Sequence, residues 1–178
     1  MFSPLEKLPS FATGSDEIHV IVDTPQGSLN KFKYDEATGL FMLGGAMPAG
    51  AVFPFEFGFI PGTRGGDGDP LDVLLLMDAA TFVGCLVRAR LIGAILAKQT
   101  EKGKTEQNDR LIAVAVHSRR HAHLRELREL PDQLLKEIEH FFVSYNEIKG
   151  KRFQPLGRRG PTHALALVRK GIKSAGGN

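Results

Sequence analysis

Between Glu17 and His117 the chain is a succession of short apolar runs broken by Gly, Pro, Asp and Asn. The runs are EIHVIVD (17–23), NKFKYD (30–35), GLFML (39–43), FPFEFGFI (53–60), LDVLLLM (71–77), CLVRARLIGAILA (85–97) and RLIAVAVH (110–117). Strands this short, spaced this closely and joined by turn residues predict a small antiparallel barrel. The period then changes. In LPDQLLKEIEHFFVSYNEIKG the apolar residues Leu134, Leu135, Ile138, Phe141, Phe142 and Tyr145 recur at helical spacing. Pro131 suits the first turn and Gly150 the stop, which gives an amphipathic helix packed on the barrel. A second helix is expected from about Thr162 to Lys170, between GRRGP and the Gly-rich tail. The fold class is α+β, mainly β, with two C-terminal helices flanking the barrel.

No repeat, low-complexity segment or composition shift marks a linker, so one domain spanning 1–178 is expected, with its core at about 17–170 and extended or flexible termini. A chain of 178 residues buries roughly two thirds of its unfolded surface and needs no covalent staple. Its single cysteine, Cys85, excludes an intrachain disulfide and a zinc site built on several thiolates, and points to the reducing cytoplasm. MFSPLEKLPSF carries prolines and charges where a secretory signal would be apolar, and no run reaches the length of a membrane span. The net charge of +3 is compatible with phosphate-bearing partners of any size.

The stretch GGDGDPLDVLLLMD places Asp67, Asp69 and Asp72 within six residues. Asp and Gly before Pro are good turn formers, and a tight turn accounts for Asp67 and Gly68 by itself. Asp72 needs more. On a strand it shares a face with Leu74 and Leu76, while Leu71, Val73 and Leu75 line the other, so both faces are apolar and the carboxylate enters a buried surface. A buried carboxylate must be neutralised by a cation or by a proton. Two carboxylates about 5 Å apart repel by roughly 3 kcal/mol at an effective dielectric near 20. Oxygen ligands without a local His or Cys suit a hard cation, Mg²⁺ before Ca²⁺. Pro70 and the strand break the spacing of an EF-hand loop.

Cations are scattered through the same region: Lys31 and Lys33, Arg64, Arg88, Arg90 and Arg110. Each alone reads as a solvated strand position. Beside a metal cage they are what phosphoryl chemistry uses. HSRRHAH holds His117, His121 and His123, but as a basic loop with no acid beside it. A nucleophile elbow, a phosphate-binding P-loop and a dinucleotide fingerprint are all missing.

DGDPLDVL after FGFIPGT, a K-x-x-Y-D strand and a helix carrying HFF-x-x-Y resemble the metal-dependent soluble inorganic pyrophosphatases, from about His19 to Lys151. The resemblance implies a small OB-like barrel, several Mg²⁺ ions, diphosphate as substrate and a cytoplasmic homo-oligomer. It makes Asp67 and Asp72 metal ligands and Asp69 the acceptor of the attacking water's proton. Lys31 and Tyr145 become phosphate contacts, and Asp23 stands one methylene short of a glutamate. Arg110 replaces a phosphate-binding lysine. Asp109 or, without a gap, Asn108 falls at a further metal-ligand aspartate, and Glu101 or Glu106 at another.

Other positions depart from the family pattern. Lys33 replaces a carboxylate of the metal cage, Gly44 an arginine, Phe53 and Phe57 tyrosines, and Asn146 a lysine. The Phe alternation in FPFEFGF also reads simply as a core face. Lys33 as a built-in cation, and Arg64, Arg158 or Arg159 as phosphate contacts, are the candidate compensations. Mg²⁺-dependent diphosphate hydrolysis is therefore the leading expectation. A re-specialised hydrolase for another phosphoanhydride or phosphoester is the first alternative. The second is an OB-like nucleic-acid module without catalysis, which the acidic cluster disfavours by repelling a phosphate backbone.

Overall fold

The computed structural model describes residue 5 and residues 8–176, and the expectation of extended termini falls partly outside them. Among these residues nine strands and two α-helices follow in chain order. They are β1 (Ile18–Thr24), β2 (Asn30–Asp35), β3 (Leu40–Ala46), β4 (Glu56–Phe59), β5 (Asp72–Leu76), β6 (Leu86–Glu101), β7 (Lys104–Gln107), β8 (Arg110–Ala115), α1 (Asp132–Ile148), β9 (Arg152–Arg159) and α2 (Pro161–Ala175). The seven runs read from the sequence all contain strands. β7 and β9 were not foreseen. β7 is polar throughout, and β9 carries Pro155, which ordinarily argues against a strand. Pro155 is accommodated because β9 pairs only with β6, and the register slips at that point, between Leu96 and Ala97.

The principal sheet runs β1-β4-β5-β8-β6-β7, and a further β1–β6 pairing closes five of its strands into a ring. This is the expected OB-like barrel, with one departure: β5 and β8 pair in parallel. The chain leaves β5, runs out and back through the long β6–β7 hairpin, and re-enters beside β5 in the same direction. β2 and β3 form a separate two-stranded sheet.

Both faces of β5 and β8 are buried, as LDVLLLM implied. Leu74, Leu76, Ile112 and Val114 join one apolar cluster with Leu135, Ile138 and Phe142 of α1. Val73, Leu75, Leu111 and Ala113 join the other with Ala164 and Val168 of α2. Phe53 and Phe57 lie in the α1-side cluster, so their rings are core. Among the described residues no helix is long and apolar enough to cross a membrane.

Candidate active site

The α1-side face of the barrel ends in a cleft of about 250 Å³. Its acidic wall is the loop into β5. Gly65 N–H donates to Asp69 O at 2.7 Å, and Asp69 N–H donates to Asp67 Oδ1 at 3.2 Å. Gly68 makes this turn possible at φ 88°, where a side chain would be strained. A side chain at Gly66 would meet the Gln107 carbonyl at 2.9 Å. The missing Cβ lets the acidic loop lie directly on the chain entering β8.

The parallel pairing then sets the central contact. One step before the register pair Val73 and Leu111, Asp72 opens β5 and Arg110 opens β8. The Arg110 guanidinium donates to the Asp72 carboxylate and to Asn108 Oδ1, and it also lies 5.2 Å from the ring centres of Phe142 and Phe153. It is buried, while the Asp72 side chain keeps 27% of its exposure. Asp72 is thus at the mouth of the core, with its charge met by an arginine on the next strand.

The opposite wall is basic. Lys31 Nζ donates to Asp23 Oδ1 at 2.6 Å, to Thr24 Oγ1 at 3.0 Å and to the Phe32 carbonyl at 2.9 Å, above the Phe57 ring. Burial pushes the Asp23 carboxyl up even against the Lys31 charge. Lys33 lies 3.4 Å from Asp69 Oδ2, with both side chains largely in solvent. From α1, Tyr145 Oη accepts a hydrogen bond from Lys149. Burial first, and then the Asp23 and Asp72 charges, push the Tyr145 phenol up, so it stays protonated. Partial desolvation, reinforced by the Lys31 and Lys151 charges, pushes the Lys149 ammonium down.

Asp23, Lys31, Lys33, Asp67, Asp69 and Asp72 therefore line one cleft, together with Arg110 and Tyr145. Asp109 turns away. Its Oδ1 accepts from Ala97 N–H at 3.0 Å and from Gln107 Nε2 at 2.5 Å, and it lines a smaller neighbouring cleft. Asn108 lines both clefts, donating to Gln99 Oε1 at 3.0 Å. Glu101 pairs with Lys151 and Glu106 with Lys104. Arg158 is taken up by Glu139 and Asp132 of α1, and Arg64 lines the neighbouring cleft. Lys149 and Lys151 are cleft residues that sequence reading passed over. The signal for Lys149 was its i,i+4 spacing from Tyr145.

Among the described residues no cation lies at bonding distance from Asp67. Burial, and then the charge of Asp72, push its carboxyl up, so a positive charge placed there would be favoured. The donors around it are all oxygens, the set a hard divalent ion prefers. Among the described residues no three His, Cys, Asp or Glu side chains are grouped to hold one ion.

The family model for inorganic pyrophosphatase matches residues 20–175. An inorganic pyrophosphatase of Geobacillus stearothermophilus is 34% identical over 151 residues, covering 85% of this chain and 89% of the relative. That of Thermus thermophilus is 32% identical over 168 residues, covering 93% and 94%. The crystal structure of the Thermus thermophilus inorganic pyrophosphatase superposes with a TM-score of 0.89 at 31% identity, covering 98% of this chain and all of that one. The Helicobacter pylori inorganic pyrophosphatase gives 0.86 at 28% identity, covering 96% and 99%. With the model matched along most of the barrel and both helices, the chain belongs to the inorganic pyrophosphatase family.

Proposed function

We propose that this single-domain chain hydrolyses inorganic diphosphate to two phosphates with Mg²⁺ as its metal. The observation that carries the reading is the cleft itself, where the acidic Asp67–Asp72 loop, with Arg110 beside it, faces Lys31, Tyr145 and Lys149 across a space open to solvent. Asp67 and Asp72 hold the metal. Asn108 presents its amide in the place considered for Asp109, whose carboxylate braces the loop from behind by its bond to Ala97. Mg²⁺ bound here supplies charge neutralisation on the phosphate oxygens and a lowered pKa for the attacking water.

The protein groups do the rest. Lys31, Arg110 and the protonated Tyr145 donate to the non-bridging phosphate oxygens and hold the substrate in line. Asp69, exposed at the loop tip, accepts one proton from water as its oxygen bonds to phosphorus. The bridging P–O bond breaks and the second phosphate leaves. Asp23 positions Lys31 through their buried pair. A homo-oligomer working in the cytoplasm accompanies this reading, supported by the single cysteine and by the exposed Phe82 and Leu86.

Asp72→Asn should lower Mg²⁺-dependent phosphate release from diphosphate by at least on the order of 10²-fold. An unimpaired variant would sink the assignment. A second reading, in which another phosphoanhydride is the better substrate, is favoured by Gly44 and Phe57. They line the cleft with no cationic side chain and no hydroxyl. A substrate panel at matched Mg²⁺ separates the two by kcat/KM.

A further inference from the structure

β2 carries a bulge between Lys31 and Phe32, so simple alternation does not hold there, yet Lys31 and Lys33 both line the cleft. Both ammonium groups enter the cleft. Lys31 is consumed by Asp23 in a buried pair, whereas Lys33 reaches 36 residues along the chain to the acidic loop and stops 3.4 Å from Asp69 Oδ2. Its charge also acts on Lys149 across the cleft. Asp72 is answered by Arg110. Asp23, Asp69 and Asp72 thus each have a protein cation beside them, and among the described residues Asp67 is in no ion pair.

An ion bound to Asp69 would sit about 2 Å from a carboxylate oxygen. It would then lie within about 5 to 6 Å of the Lys33 ammonium, where a divalent and a monovalent cation repel even after solvent screening of so exposed a pair. No described cation of β2 or β3 pairs with Asp67 or Asp72, and Arg110 of β8 bonds Asp72 through Oδ2, leaving Oδ1 outside that bond.

We infer that Lys33 is a tethered cation: its ammonium holds the Asp69 side of the cleft, confines divalent ions to the Asp67–Asp72 side, and lowers by one the number of ions the chain binds. The inference takes the metal's identity from the proposed function, but it makes no claim on the substrate. The ammonium is permanent and carries no exchangeable ligands, so the Asp69 side keeps a positive charge at any Mg²⁺ concentration.

The test is titration calorimetry with Mg²⁺ alone, without substrate, so the result is independent of whether diphosphate is hydrolysed. Lys33 is largely exposed and its ion pair is a solvent-screened one, so replacing it should leave the fold intact, which a thermal melt checks. Lys33→Met should tighten Mg²⁺ binding on the order of tenfold. Lys33→Glu should add one ion per chain. Lys173→Glu on α2 makes the same charge reversal outside the cleft and should change neither quantity. Unchanged stoichiometry and affinity in both Lys33 variants would overturn the inference. So would an equal gain in Lys173→Glu, which would make the effect one of net charge.

Discussion

The two walls of the cleft are built differently. The acidic wall stands on β5 and β8, whose residues after Asp72 are buried and whose backbones are paired on both edges. The basic wall includes β2, half of a two-stranded sheet whose residues are exposed or only partly buried. The acidic wall is fixed by the core, so moving Asp72 means moving the barrel. Lys31 and Lys33 ride on a ribbon outside that core, tied to it by the Lys31 bonds to Asp23 and Thr24 of β1. Positions where a cage must hold its dimensions lie on the first wall, and the departures at Lys33 and Gly44 lie on the second.

The contrast predicts unequal damage. Arg110→Met removes the cation packed against Phe142 and Phe153 on the fixed wall and leaves the Asp72 carboxylate without its partner, at a cost of about 3 kcal/mol or more. Urea unfolding should show it as a lower midpoint, and a loss under 1 kcal/mol would mean the acidic wall is not held as described. Lys31→Met breaks the buried pair that ties the ribbon to Asp23 of β1, and should cost about 2 kcal/mol at neutral pH.

That second loss depends on pH. Asp23 is held above its ordinary pKa by burial, so the folded chain binds a proton more readily than the unfolded chain. Its ionisation penalty is present in full above the folded pKa and is relieved as pH falls toward the ordinary carboxylate range. Removing Lys31 raises the folded pKa further, so the gap to the parent protein should be widest at neutral pH and narrow on acidification. Midpoints measured across a pH series check this, and a gap that widens in acid would reverse the account. Smallest of all, Leu40→Gln on the ribbon's outer face, where Leu40 is 65% exposed, should shift stability by no more than about 0.5 kcal/mol.

Much of the fixed wall was legible in the sequence, because two-sided apolar strands and an Asp at the head of one of them leave few arrangements open. The α1 helix was legible too, and its observed span, Asp132–Ile148, lies within the expected Pro131-to-Gly150 segment. α2 runs past the expected end at Lys170 to Ala175. β9 was hidden by Pro155.

What sequence could not give was the partner of each charge. Arg110 and Asp72 meet because β5 and β8 run parallel, and Asp109 faces away because Ala97, twelve residues back, offers it a backbone N–H. Those are facts of register. No periodicity within a single segment encodes them, which is why Asn108 and Asp109 could not be told apart beforehand.

The parallel β5–β8 pair also governs when the site comes into being. Its two strands are separated by the whole of β6 and β7, and the Arg110–Asp72 bond spans 38 residues. Contacts of such separation form only after a large loop-closure entropy has been met, and they slow folding accordingly. A chain with β1–β4 and the β6–β7 hairpin formed would still lack a cleft. Whatever binds there binds only the closed ring, so the ligand adds its binding energy to barrel closure and raises the temperature at which that ring opens.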